Sequence, residues 1–252
     1  MGNNYLYNLG DSWAWGYGDS FDIPLKPTYA DIVAKHFGLE KVTCCECGWA
    51  LGNAVESFLQ KVYPKMTEGD CVLVTIPPDT RLVVARPDNM LDDYSRRRTF
   101  TVFANEPMWT ETVKRSGANP YHFELIINKD LMLIASLCEK KNVKYAFQHN
   151  YSTMTFDPRW EMDLINAGYI DKENSMMDWL QIDRNKCSGT TIEDQLKKNL
   201  DGVKFEEWDP KHFSDLITDT AHPNIKGHKL IADILTHKLE KLWNMQPMNG
   251  IN

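Results

Sequence analysis

The chain has 252 residues, 42% of them hydrophobic, with a formal net charge of −7. That length and apolar content suit one domain with a sizeable core, with room for insertions. The acidic balance offers no general attraction to phosphate backbones, which excludes nucleic acid as an expected partner.

No apolar run has the length needed to span a bilayer, so no membrane partner is expected. The start, Met1-Gly2-Asn3-Asn4-Tyr5-Leu6, lacks the basic and apolar regions of an export signal, and Leu6 stands where a myristoylation signal wants Ser or Thr. The expectation is a cytoplasmic protein. Six cysteines (44, 45, 47, 71, 138 and 187) do not form a disulfide framework in a chain this long. Cys44-Cys45-x-Cys47 has no second Cys/His pair at zinc spacing, so no metal is expected. Arg96-Arg97-Arg98 reads as a solvated face.

Tyr5–Leu9 is a candidate first strand. Tyr29–Leu39 places Ile32, Val33, His36 and Phe37 at helical spacing and is closed by Gly38. Lys41–Glu46 is a short second strand, and Ala50–Met66 a helix with Val55, Phe58, Leu59 and Val62 on one face. Cys71–Ile76 is a continuous apolar run between Gly69 and Pro77, the pattern of a strand buried on both faces. The alternation resumes with a helix over Leu131–Lys141, a strand over Val143–Gln148 and a long amphipathic helix over Ile225–Trp243. Such alternation predicts an α/β fold, a three-layer α/β/α sandwich with a flavodoxin-like parallel sheet. Ligands then bind beyond the carboxyl ends of the strands, near the switch in strand order. Residues 82–128 and 149–214, rich in charge and aromatics, are too long for plain connections and are expected to form a cap or an interface on this single domain.

Two short motifs at opposite ends of the chain point to chemistry. Gly10-Asp11-Ser12 follows the first strand, and Asp219-Thr220-Ala221-His222-Pro223-Asn224 opens the last helix. A serine hydroxyl is a poor nucleophile until a base accepts its proton, a role open to His222. Asp219, three residues earlier, can accept the other imidazole N–H and hold the ring's tautomer. Taken singly, each residue also has a plain structural use: Ser12 as a helix cap, Asp219 at a helix dipole, His222 at a helix start. His228, one residue past Gly227, reads as structural.

These residues resemble the SGNH/GDSL hydrolase family. Its first block is similar to Asn8-Leu9-Gly10-Asp11-Ser12-Trp13, and its last to Asp219-x-x-His222-Pro223-Asn224-x-x-Gly227-His228. Cys47-Gly48-Trp49-Ala50-Leu51-Gly52-Asn53 stands where the family carries its second block, whose glycine amide serves an oxyanion hole. The third block normally supplies an asparagine; here the segment is Ile76-Pro77-Pro78-Asp79-Thr80-Arg81 and has none. The resemblance implies catalytic Ser12, Asp219 and His222, with oxyanion donors from the amides of Ser12 and Gly48. Gly52 is a rival for the second donor. Three alternatives stay open for the missing asparagine: replacement by Asn53, replacement by a polar group of Asp79-Thr80-Arg81, or no replacement at all. Asp79 and Arg81 are expected near the substrate. Trp13 and Trp15 either line an acyl or sugar pocket or form a core-to-surface aromatic cluster with Tyr17.

The implied activity is hydrolysis of a carboxylic ester, a carbohydrate acetyl ester among the candidates, through an acyl-Ser12 intermediate and with no metal or organic cofactor. The rival reading keeps the fold but makes the chain a catalytically degenerate binding or structural module, favoured by the absent asparagine. A weaker one takes Gly16-x-Gly18 as a nucleotide loop, without the third glycine such loops need.

Overall fold

The computed structural model describes residues 4–17, 24–78, 81–85, 99–102, 107–117, 120–151, 163–182, 215–218 and 222–248. Strand β1 (Tyr5–Gly10) runs directly into a single helical turn, α1 (Ser12–Trp15). Helix α2 (Tyr29–Phe37) follows, opened by a capping box in which Thr28 and Asp31 satisfy each other's backbone amides. Then come β2 (Glu40–Cys45), α3 (Leu51–Ser57) and β3 (Cys71–Ile76). A short hairpin, β4 (Leu82–Ala85) and β5 (Thr99–Val102), precedes α4 (Pro107–Ser116) and α5 (Pro120–Lys140). Strand β6 (Lys144–His149), two short helices α6 (Asp163–Gly168) and α7 (Met176–Trp179), and the long α8 (Ile225–Trp243) complete the described elements.

Four strands form one parallel sheet in the order β2-β1-β3-β6. Because side chains alternate across a strand, each central strand feeds two cores. Tyr7, Leu9, Val72, Val74, Tyr145 and Phe147 enter one core together with Leu51, Phe58, Leu131 and Ile165 from α3, α5, α6 and the turn after α3. Leu6, Leu73 and Ala146 enter the other, with Tyr29, Val33, Met176, Ile231 and Leu235 from α2, α7 and α8. All six residues of β3 are buried, the signature of a central strand covered on both faces. The result is a three-layer α/β/α sandwich. Its strand order reverses between β1 and β3, as in flavodoxin-like sheets.

Two elements differ from their sequence expectation. The helix expected over Leu131–Lys141 begins eleven residues earlier, at Pro120. Its buried positions Phe123, Ile127, Leu131, Ile134 and Cys138 keep helical spacing throughout, but the polar stretch Asn128-Lys129-Asp130 breaks the pattern when read along the sequence. The helix expected over Ala50–Met66 is α-helical only to Ser57. It continues as a π-helical turn over Phe58–Val62, closed by the Tyr63 amide on the Phe58 carbonyl at 2.8 Å. Among the described residues no helix is long and apolar enough to cross a membrane.

Candidate active site

In a parallel sheet every strand delivers its C-terminal end to the same edge, and here those ends carry the polar residues of the site. Gly10, the last residue of β1, has φ +146°, and a Cβ there would lie 2.8 Å from the Thr75 carbonyl and 2.9 Å from the Ala14 Cβ. Only glycine lets the chain turn so sharply against β3. The turn is capped by Asp11, whose carboxylate accepts the Trp13 amide at 3.1 Å. The cap is thus Asp11, leaving Ser12 as the first residue of α1. Asn8, buried inside β1, donates to the Ala14 carbonyl at 2.8 Å and ties the turn back onto its own strand.

The Ser12 side chain meets the other end of the chain. His222 Nε2 lies 2.8 Å from Ser12 Oγ, across 210 residues of sequence. The loop bearing His222 is held by a small antiparallel bridge between Ile217 and Pro223. Within it the Thr218 amide donates to the His222 carbonyl at 2.8 Å and the Asn224 amide to the Leu216 carbonyl at 2.9 Å. Asn224 then caps α8, its Oδ1 accepting the amides of Lys226 and Gly227. Gly227 is needed for contact: a Cβ there would stand 2.1 Å from the Leu216 carbonyl oxygen. The Tyr17 ring packs edge-on to the His222 imidazole, with centroids 4.4 Å apart, and limits its rotation. Asp219 lies outside the described residues, as does Asp79.

A buried ionic cluster sits directly beneath this pair. Asp11 is fully buried, and its carboxylate accepts three further bonds: two at 3.1 Å from Asn150 Nδ2 and one at 2.7 Å from Arg81 Nη1. The same Arg81 nitrogen donates to the Trp49 carbonyl at 2.6 Å. Asp11 follows β1, Arg81 follows β3 and Asn150 follows β6, so one carboxylate gathers three strand ends. An unpaired carboxylate at such a depth would cost several kcal/mol; the guanidinium and the amide offset that. Burial, followed by the Asp11 charge, pushes the nearby Cys47 thiol up to about 11, so it stays protonated at neutral pH.

The other expected residues fall as follows. Gly48 has φ +79° in the loop after β2, next to the Trp49 carbonyl that Arg81 holds. Asn53 is buried, and its Oδ1 accepts the Ala50 amide at 3.0 Å, closing the start of α3. Gly52 lies on α3 against Val83 of β4. Both Gly52 and Arg81 border a largely apolar cavity of about 260 Å³, walled also by Leu51, Pro78, Val83 and Ile127. Trp13 is 1% exposed, its indole donating to Tyr151 Oη at 3.2 Å, which leaves it almost no surface for a ligand. Trp15 packs part-buried against the α2/α8 core. His228 is fully buried behind the site, and its Nδ1 accepts the Tyr29 amide at 3.3 Å. Sequence reasoning did not single out Asn150 or Thr218. The one available signal for Asn150 was its position just past a predicted parallel strand, where sheets of this kind place functional groups.

No family model matches the chain, and no curated protein matches it. Solved structures similar to it include a psychrotrophic esterase from Pseudoalteromonas sp., at 14% identity, covering 96% of this chain and 100% of that one, with a TM-score of 0.45. A lipase/acylhydrolase from Enterococcus faecalis shares 12% identity over 98% of this chain and 100% of its own, at 0.44. An acetyl xylan esterase from the rumen bacterium Butyrivibrio proteoclasticus shares 14% over 96% and 64%, at 0.47. Likeness at this level carries no inference about chemistry; the fold stands on the chain's own strand order and layers.

Proposed function

We propose that this protein is a serine ester hydrolase that cleaves a carboxylic ester through an acyl-Ser12 intermediate. The observation that carries the reading is the 2.8 Å contact between Ser12 Oγ and His222 Nε2 at the carboxyl edge of a parallel sheet. As the ester carbonyl approaches, Ser12 Oγ attacks its carbon while His222 Nε2 takes the hydroxyl proton. Negative charge develops on the carbonyl oxygen, for which the Ser12 and Gly48 amides are the proposed donors. Collapse of the tetrahedral intermediate expels the alkoxide, which receives the proton from His222. Water, deprotonated by the same imidazole, then releases the acid and restores Ser12. Asp219 is the proposed acceptor for the second imidazole N–H, holding the tautomer in which Nε2 is free to accept. No step calls for a metal or an organic cofactor.

Support also comes from what a binding module would not require. A hydroxyl and an imidazole in contact, with a buried ionic cluster anchoring the turn beneath them, serve no evident purpose in a purely structural role. The substrate class proposed is a carboxylic ester; acetylated carbohydrates belong in the first panel beside simple acyl esters. Hydrolysis of p-nitrophenyl acetate and butyrate, with Ser12→Ala as control, tests the reading. Turnover above buffer that vanishes in Ser12→Ala is expected. Turnover that survives in Ser12→Ala would contradict it.

A further inference from the structure

We infer that Arg81 is a positioning residue for this proposed ester hydrolysis, locking the loop that carries Gly48 against the turn that carries Ser12. The inference rests on the Ser12–His222 reading and goes beyond it by naming a group outside the triad. One nitrogen, Arg81 Nη1, donates to Asp11 Oδ2 at 2.7 Å and to the Trp49 carbonyl at 2.6 Å. Asp11 immediately precedes Ser12, and Trp49 immediately follows Gly48. The guanidinium therefore joins the chain neighbours of both proposed oxyanion donors.

Each end of this bridge is itself held. Asp11 is fully buried and fixed by the Trp13 amide and by Asn150 Nδ2, so its carboxylate cannot swing to follow a moving arginine. On the other side the Ala50 amide is bound by Asn53 Oδ1 at 3.0 Å and the Trp49 amide faces the Glu46 carbonyl at 3.4 Å. Gly48 lies inside the Glu46–Trp49 turn in a left-handed conformation, one residue before the carbonyl that Arg81 holds. The Arg81 side chain is 12% exposed, so both of its bonds are largely shielded from water. Oxyanion stabilisation depends on donors being in place before charge develops, and a loop free to turn its peptide away loses that preorganisation.

Lysine separates charge from position. Its ammonium would still neutralise Asp11, but its stem is one atom shorter and it lacks the planar fork. The decisive experiment measures kcat and KM for p-nitrophenyl acetate, together with the rate of fluorophosphonate labelling, in wild type, Arg81→Lys and Arg81→Ala. Circular dichroism melting establishes which variants are folded. In folded Arg81→Lys, kcat and the labelling rate should fall about 10- to 100-fold with KM within about twofold, as expected when preorganised donors are misplaced. Arg81→Ala should fall further and recover in part with millimolar guanidinium, which a general loss of structure would not do. If Arg81→Ala does not fold, the lysine variant decides. Wild-type kcat in either folded variant, or a change confined to KM as for a group contacting substrate in the adjoining cavity, would overturn the inference. Failure of wild type itself to label or turn over would instead remove the ester hydrolase reading on which it rests.

Discussion

At the scale of single residues, the site divides into groups placed by local turns and groups placed by the whole sheet. Ser12 belongs to the first kind: Gly10, the Asp11 cap and the Asn8 bond to Ala14 set its position within a few residues. Replacing Ser12 by alanine should therefore abolish ester hydrolysis while shifting stability by no more than about 1 kcal/mol, as thermal melting would show. His222→Ala should lower turnover at least about a thousandfold, since the base and the nucleophile act as a unit. The Gly-Asp-Ser and His-Pro-Asn motifs were legible in the sequence because both depend on short-range turn chemistry. The Asp11–Arg81–Asn150 cluster was not. Its members are separated by 70 and 139 residues from Asp11, and only strand order brings them together. Arg81 was expected near the substrate, but its bond to a carboxylate inside the nucleophile motif has no sequence signature.

At the scale of elements, the loop before α8 is the most sensitive part of the site. Gly227 lets the first turn of α8 sit directly on the Leu216 carbonyl, and Pro223, next to His222, is bridged to Ile217. Gly227→Ala puts a methyl group 2.1 Å from that oxygen, so helix and loop must separate. A stability loss of at least about 2 kcal/mol is expected, with a fall in turnover larger than the fraction unfolded explains. Denaturant titration alongside kinetics measures both. Most element positions were readable from periodicity: β3 and α8 have the bounds the pattern indicates, because a doubly covered strand and a long amphipathic stripe leave strong signals. The first half of α5 was hidden by Asn128-Lys129-Asp130, polar residues whose tolerance depends on packing partners that only the tertiary fold supplies. The β4–β5 hairpin lies in a stretch whose length, rather than its pattern, marked it as an insertion, and Val83 of that hairpin stands where a Cβ on Gly52 of α3 would meet it at 3.0 Å.

At the scale of the whole molecule, the sheet brings the polar residues to one edge while the two cores hold it rigid, and one buried and one half-buried ionisable group tie that rigidity to pH. Burial lowers the His228 pKa from its ordinary 6.5 to about 4. Between those values the unfolded chain binds a proton that the folded protein does not, so stability falls as pH drops through the window, by up to about 3 kcal/mol. His228→Gln should flatten that part of a stability curve measured from pH 7 to pH 4. Asp130 works in the opposite sense. Burial raises its pKa from 3.8 to about 6, so the folded protein keeps a proton that the unfolded chain has lost. Its contribution weakens the fold as pH rises through that range, and Asp130→Asn should raise the melting temperature at pH 7 while changing little at pH 4. The layered architecture was legible in the alternation of strands and helices. The depth at which His228 sits depends on packing, which periodicity does not encode.

The central claim is that His222 activates Ser12. It is tested most directly by reacting the purified protein with a fluorophosphonate probe and mapping the labelled peptide. Attachment at Ser12, lost in His222→Ala, is the expected result. A folded protein that remains unlabelled while a control serine hydrolase reacts, or one labelled equally well without His222, would contradict it.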